Sequence, residues 1–229
     1  MSAIPILKPN GIDHLALSTT NMKQQLQFFN EVLGMPLRAL YWMHGVEDTY
    51  HGFLELNSES MLAFVCCPQN KEDIQYGVTH SGWAGSPVTR GAMQHLAFHI
   101  DTFDELLTMR DRIRAKGIHV LGPANHGFCH SIYFAGPEGL ALEITTDTSI
   151  DPNAWIDPEV VALAGISDEE LDTLKSPNPY ERPAQPVPQP PLDSDGYRLN
   201  LPKEEYNALM GMPDEVVIDL FESAPPVKV

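Results

Sequence analysis

The sequence predicts an α+β protein in which two βαβββ modules form a concave mixed-sheet cavity, followed by a C-terminal extension of short helices and proline-rich chain. Two observations lead to this prediction. The pattern of residues 11–35 recurs at 92–118, and the charge and proline content change near residue 147. We therefore expect one domain over residues 1–147, with modules at about 10–67 and 92–147, and an extension over 148–229.

The first copy of the repeat, GIDHLALSTTNMKQQLQFFNEVLGM, begins with a short alternating strand, IDHLALS. It continues into an amphipathic helix, because apolar residues recur three or four positions apart at Met22, Leu26, Phe29 and Leu33. Three runs typical of strands follow, LRALYWMH, YHGFLEL and SMLAFVCC. This order of elements predicts one βαβββ module.

The second copy, AMQHLAFHIDTFDELLTMRDRIRAKGI, has the same order, with MQHLAFHI as its strand. Thr102 and Glu105 have the spacing of a capping box, which predicts the start of a helix, and Gly117 predicts its end. The runs IHVLG, HSIYFAG and GLALEIT then predict three further strands.

The two-residue period of a strand indicates which side chains share a face. If the leucines of HLAL and HLAF pack on the helices, His14 and His95 lie on the opposite face at matching positions of the two repeats. The same rule places Tyr133 and Glu143 on that face in the second module. Pseudo-twofold symmetry would then direct all four side chains into one cavity.

Composition disfavours several kinds of partner and location. A formal net charge of −17 disfavours nucleic acid or an anionic membrane surface as a partner. The three cysteines, two of them adjacent, are not typical of a disulfide framework and indicate a reducing compartment. The N-terminus lacks a basic segment followed by an apolar run, and the apolar stretch 61–67 is too short to span a bilayer. These features predict a cytoplasmic protein.

Two imidazoles and one carboxylate form a ligand set suited to non-haem Fe(II), and the same set can hold Mn(II) or Zn(II). His14, His95 and Glu143 would supply it. The alternative is that the three are unrelated polar residues on half-exposed strands. Their symmetric placement, and the small residues Ala16, Ala97 and Ala141 beside them, favour the metal site.

The repeated module, with its HLAL, HLAF and PEGLALEI segments, resembles the vicinal oxygen chelate superfamily over residues 10–147. That superfamily includes glyoxalase I, methylmalonyl-CoA epimerase, antibiotic resistance proteins and extradiol ring-cleavage dioxygenases. Its glyoxalases and epimerases take a fourth metal ligand from the last strand of the first module. Aligning SMLAFV on LALEI places Phe64 opposite Glu143, and phenylalanine cannot bind a metal. Three ligands are the extradiol pattern.

The segment HGFCHSIYFAGPEGLALE also resembles the extradiol signature, through His126, the pair Ile132 and Tyr133, Gly139 and Glu143. It departs from that signature at residue 136, where glycine replaces the usual Asp, Asn, Thr or Ala, and at residue 124, where alanine is unusual. Extradiol enzymes usually carry an acid–base histidine early in the last strand of the metal-bearing repeat, and near there this chain has Ser60 and Met61.

His51 is a candidate substitute for that histidine, because strand parity places it beside Phe53 and Glu55 on the concave face. It is read equally well as a surface strand residue. His130 has the opposite parity to Tyr133, which favours a structural role.

The resemblance implies an Fe(II)-dependent extradiol-type dioxygenase acting on a catechol or related phenolic substrate with O₂. Tyr133 would hydrogen-bond a substrate oxygen, His126 would position the ring or an intermediate, and His51 would transfer a proton. The alternatives are a glyoxalase-like metal-dependent isomerase or lyase and a small-molecule-binding resistance-type protein. No organic cofactor is expected.

The extension carries 17 acidic and 5 basic residues from 147 onward, together with 13 of the 20 prolines. A disordered tail is one interpretation. However, Ser167 and Glu170 have capping-box spacing, and Pro202 suits a first helical position. Short helices of this kind cannot bury their apolar residues alone. We therefore expect an ordered arm that wraps the core and strengthens a homodimer.

Overall fold

A computed structural model describes residues 7–228 of the chain. The first module consists of strand β1 (His14–Thr19), helix α1 (Met22–Leu33), and strands β2 (Leu37–Trp42), β3 (Tyr50–Asn57) and β4 (Ser60–Cys66). The second consists of β5 (Leu96–His99), α2 (Phe103–Ala115), β6 (Val120–Asn125), β7 (His130–Ala135) and β8 (Ala141–Thr146). A single 3-10 turn, Pro137–Gly139, joins β7 to β8.

The two modules have the same topology. Their strand orders are β1-β4-β3-β2 and β5-β8-β7-β6, so the first strand of each module lies beside the last. That pair is parallel, whereas the other neighbours are antiparallel. The predicted repeat of βαβββ units is therefore confirmed.

Both helices begin and end where their sequences provide the required groups. The Asn21 side chain accepts a hydrogen bond from the Gln24 amide at 3.1 Å, and α1 ends at Gly34 with φ 82°. The predicted capping box of Thr102 and Glu105 is present at the start of α2.

The hydrophobic core is shared by both modules and contains the two helices. Phe29 of α1 packs against Phe64 of the first sheet and Phe98 of the second, with ring centroids 5.3 Å and 6.2 Å away. The buried residues of both sheets, such as Leu62 and Ile144, belong to the same cluster. Because each sheet turns its apolar face to this core, the opposite faces of the sheets point away from each other.

As far as residue 228, the extension forms short helices α3 (Pro152–Trp155), α4 (Pro158–Leu163), α5 (Asp168–Lys175), α6 (Lys203–Met210) and α7 (Asp214–Phe221). The capping box of Ser167 and Glu170 is present, but Pro202 is the residue before α6 rather than its first residue. Most apolar side chains of these helices are exposed within the chain. None of the helices that the structure describes has the length and apolar character needed to cross a membrane.

Candidate functional site

His95 and Glu143 meet on the outward face of the second sheet. In the parallel register of β5 and β8, Ala97 lies opposite Glu143, so His95, two residues before Ala97, shares its face. The His95 Nε2 and Glu143 Oε2 atoms are 2.9 Å apart. The carboxylate side chain is 9% exposed and the imidazole 32% exposed, so the pair is partly shielded from solvent.

Each of the two repeat histidines has its Nδ1 atom held by the residue before it. His14 Nδ1 lies 2.7 Å from Asp13 Oδ1, and His95 Nδ1 contacts Gln94 Oε1. The Gln94 amide is itself fixed, because its Nε2 donates to the Ala84 and Ser86 carbonyls at 2.8 Å and 3.0 Å. A carboxylate or amide oxygen accepts the Nδ1 proton, which leaves Nε2 of the neutral ring as the free lone pair.

This arrangement fits a cation at His95 and Glu143. With the Nδ1 proton directed at Gln94, the Nε2 lone pair and a carboxylate lone pair face each other across 2.9 Å, and they need a proton or a cation between them. Two ligands about 2.1 Å from one ion and at right angles to each other lie roughly 3 Å apart. The donor set, one imidazole nitrogen and one carboxylate oxygen, is two thirds of the predicted triad.

His14 does not join this pair within one chain. It lies on the outward face of the first sheet and packs edge-on against Phe53, with ring centroids 5.6 Å apart. Within residues 7–228, no three His, Cys, Asp or Glu side chains lie close enough together to hold one metal ion. The expectation that both faces would line one cavity of a single chain is therefore not met. The reason is that α1 and α2 pack between the sheets and turn the two faces apart.

His51 lies on the same face as His14, as strand parity predicted. Its ring packs against Tyr41 and Phe53, with centroids 4.2 Å and 4.8 Å away. Its Nε2 atom is buried and has no hydrogen-bond partner among the described residues. Burial lowers the pKa of His51, and the nearby His14 lowers it further. A neutral ring with one unsatisfied nitrogen fits a proton-transferring role as well as a packed strand residue.

Tyr133 and His126 form a second pair beside Glu143. Tyr133 lies directly opposite Glu143 in the antiparallel register of β7 and β8. Its Oη atom is 2.8 Å from His126 Nε2. Burial raises the pKa of the Tyr133 phenol, and the Glu143 carboxylate raises it further. The signature residues of the second module therefore converge, although they are distributed over a turn and two strands.

The structure corrects one register and supports one structural assignment. Leu15 lies opposite Leu62 as Leu96 lies opposite Leu142, so the counterpart of Glu143 is Ala63 rather than Phe64. A shift of one residue moves a side chain to the other face, and Phe64 is buried in the core. Alanine also cannot bind a metal, so the absence of a fourth ligand stands. His130 packs against Phe103 on the helix side at 4.9 Å.

Sequence reasoning missed Asp13 and Gln94. Neighbouring residues on a strand point to opposite faces. That rule gave no reason to expect Asp13 to contact His14, or Gln94 to contact His95. Both pairs, however, lie at the start of a strand.

A cleft of about 660 Å³ between the start of α1, residues 69–72 and Glu138 was not foreseen either, and neither His95 nor Glu143 lines it. The candidate site is an open face within one chain.

Part of the sequence resembles a known enzyme, and the fold resembles several solved structures. The chain is 33% identical over 61 residues to biphenyl-2,3-diol 1,2-dioxygenase 2 of Rhodococcus globerulus, a match that covers 27% of this chain and only 32% of that protein. A glyoxylase/bleomycin resistance protein/dioxygenase domain from Frankia sp. EAN1pec has a TM-score of 0.50 at 15% identity, covering 61% of this chain and 98% of that one. Lactoylglutathione lyase from Agrobacterium tumefaciens has a TM-score of 0.42 at 20% identity, covering 60% and 94%.

At 15% identity, the likeness to the Frankia domain is evidence for the fold of this chain and not for its activity. The profile of the Glyoxalase/Bleomycin resistance protein/Dioxygenase superfamily matches residues 11–144, which span both modules and all the candidate site residues. The chain belongs to this superfamily.

Proposed function

We propose that the protein is an Fe(II)-dependent extradiol-type ring-cleavage dioxygenase that acts on a catechol or related phenolic compound. The observation that carries the proposal is the convergence of His95, Glu143, Tyr133 and His126 on one face of the second sheet. The similarity of a 61-residue segment to a biphenyl-2,3-diol dioxygenase supports it. The alanine at position 63 supports three ligands rather than four.

The metal would be held by His95 and Glu143 of one subunit and by His14 of the partner subunit. Each histidine has its Nδ1 held by a neighbouring oxygen and its Nε2 available, so the two are prepared in the same way although they lie on different faces. A twofold dimer that places the first module of one copy against the second module of the other would unite them. Bound Fe(II) supplies Lewis acidity and electron transfer with O₂.

Exposed apolar side chains support such a dimer. On the edge strand β2 of the first sheet, Leu40 and Trp42 are 50% and 68% exposed. In the arm, Leu163 and Ile218 are 86% and 70% exposed. A second copy that covers these side chains would remove apolar surface from water, which favours association.

An aromatic substrate fits the side chains on the first sheet. The rings of Tyr41 and Phe53 are stacked, with an interplanar angle of 16° and centroids 6.2 Å apart. His14 and His51 complete a cluster of four rings. In the proposed dimer this cluster faces the Tyr133–His126 pair, so a flat ring could stack on one subunit while its oxygens reach the other.

Three side chains have defined tasks in this arrangement. The Tyr133 phenol donates a hydrogen bond to a substrate oxygen, and His126 Nε2, 2.8 Å from that phenol, orients it. His51 accepts a substrate proton at its unpaired Nε2. The apolar rings around His51 exclude water from that nitrogen.

The decisive experiment measures ring cleavage and subunit complementation together. Anaerobically purified protein loaded with Fe(II) is tested on a panel of catechols for yellow ring-fission products. Activity with Zn(II) or Ni(II) on an isomerase substrate, and none on catechols, would establish the glyoxalase-like alternative. Retention of a ligand without turnover would identify a binding protein.

Complementation then tests the shared site. His14→Ala and Glu143→Ala are each expected to be inactive. In a mixed dimer one of the two sites regains all three native ligands, so an equimolar mixture, unfolded and refolded together, should recover about a quarter of wild-type activity. A site contained within one chain would recover none.

A further inference from the structure

The turn that carries His126 is held by few contacts of its own. The His126 amide donates to the Cys129 carbonyl at 2.9 Å, and the Gly127 amide donates to Asn125 Oδ1 at 2.7 Å. His126 and Gly127 are both exposed. Apart from the contact of His126 with Tyr133, these two hydrogen bonds hold an exposed turn, which is expected to open readily unless another segment packs on it.

The first helix of the extension supplies that packing. The indole of Trp155 lies edge-on against Phe128, with ring centroids 4.9 Å apart and an interplanar angle of 79°. It also lies against Gly127, where a Cβ atom would come within 3.1 Å of the indole. The Ser149 amide donates to the Phe128 carbonyl at 3.1 Å, which ties the start of the extension to the same turn.

Helix α3 directs the indole at the turn through its cap. The Asp151 side chain accepts from the Asn153 amide at 2.9 Å, and its carbonyl accepts from the Trp155 amide at 3.0 Å. Gly127 has φ 85°, a conformation that glycine adopts without strain. The lack of a side chain there also permits the close approach of the indole.

We infer that Trp155 is a positioning residue, which holds the turn so that His126 Nε2 stays within hydrogen-bond distance of Tyr133. The extension would thereby act on the candidate site from within the same chain. The consequence for catalysis rests on the proposed function, but the positioning itself does not.

The first test reads the turn directly, without metal or substrate. In Trp155→Ala, the imidazole NMR signals of His126 should move toward those of a free histidine, and the Gly127 amide should exchange faster with solvent. Trp155→Phe keeps an aromatic ring against Phe128 and should restore both signals. Leu163→Ala, an exposed position in the next helix, is the matched control and should leave them unchanged. Because Trp155 is 49% exposed and outside the shared core, the variant should fold.

Unchanged His126 signals in Trp155→Ala would overturn the inference, whatever the activity. If the signals move, the Fe(II)-loaded enzyme separates the two proposals. Misplacement of His126 should lower kcat by roughly 10- to 100-fold at unchanged metal content. Moved signals with an unchanged kcat would leave Trp155 as the residue that positions the turn, and would refute the role proposed for His126.

Discussion

Gln25 of the first module donates a hydrogen bond from Nε2 to Glu138 Oε2 of the second, at 2.6 Å. The other oxygen of that carboxylate accepts from the Thr20 amide at 2.9 Å and from its hydroxyl at 2.8 Å. Glu138 adopts a left-handed backbone conformation, with φ 51°, which is uncommon for a residue with a side chain. The carboxylate thus joins the 3-10 turn before β8 to the beginning of α1.

The first prediction concerns the pH dependence of stability at Glu138. Burial alone would raise its pKa, but hydrogen bonds from Thr19, Thr20 and Gln25 outweigh burial and lower it. A carboxylate whose folded pKa lies below its unfolded value stabilises the fold fully above the unfolded pKa, about 4.3. That contribution is lost as pH falls through the folded pKa.

Glu138→Gln should therefore lower the free energy of unfolding at pH 7 by about 1 kcal/mol, a modest value because solvent partly screens the carboxylate. The difference from wild type should shrink below about pH 4. Urea denaturation at pH 7 and pH 3 measures both effects, with the exposed Glu181→Gln as control. An equal loss at both pH values would show that the carboxylate charge is irrelevant.

The second prediction concerns the metal. Replacing Glu143 by Gln keeps the shape of the side chain but weakens its affinity for a hard cation, and His95→Ala removes a ligand altogether. Both variants should lose bound Fe(II) at concentrations that saturate the wild type. His99→Ala is the control. His99 is exposed at the end of β5, and its Nε2 atom lies 3.6 Å from Asp101 Oδ1 rather than near Glu143. Elemental analysis after anaerobic loading gives the answer, and full occupancy in both site variants would exclude these ligands.

The strands and the pairing of His95 with Glu143 could be predicted because the period-two pattern and the repeat act within one module. Register was less secure. Phe64 and Ala63 differ by one position, both suit a buried strand, and only the hydrogen-bonded pairing with β1 separates them.

The relation between the modules could not be predicted in this way. An apolar stripe indicates that a sheet face is buried, but it does not identify the element that covers it. Phe29 of α1 packs against Phe64 of the first sheet and Phe98 of the second, so this helix lies between the sheets. Within the described residues, His14 accordingly does not join His95 in a three-ligand group. Gln25 was similarly hidden, since a buried polar residue in a helix is recognised only through its partner, here Glu138.

The third prediction concerns Tyr133. Tyr133→Phe removes one hydroxyl and keeps the aromatic ring, so the fold and the metal content should be retained. Turnover should fall by roughly 10²- to 10⁴-fold, the range for loss of a positioned proton donor. Tyr180→Phe, at an exposed position in the extension, should have no effect on turnover. Steady-state kinetics on the best catechol measures both, and unchanged kcat in Tyr133→Phe would make this tyrosine an ordinary strand residue.

The last prediction concerns the extension beyond α5. Helix α7 exposes Val216, Ile218 and Phe221, by 48%, 70% and 54%. The segment that follows it, residues 223–226, lies beside Arg38–Tyr41 of the edge strand β2 and lines a cleft of about 450 Å³ with it. Exposed apolar helices of this length are not stable alone, and each large apolar side chain that becomes buried contributes about 1.5–3 kcal/mol. We therefore expect these residues to be covered by a second copy of the chain.

Two truncations separate this role from that of Trp155. Deletion of residues 176–229 keeps α3 to α5 and should leave the His126 signals unchanged, while it shifts the dimer toward monomer at micromolar concentration. Deletion of residues 151–229 should cause both changes. Light scattering reports the mass, and limited proteolysis of the full chain should be slow at the proline-rich segment. Rapid trimming to about residue 150, with stability, dimer and activity intact, would instead identify the extension as a disordered acidic tail.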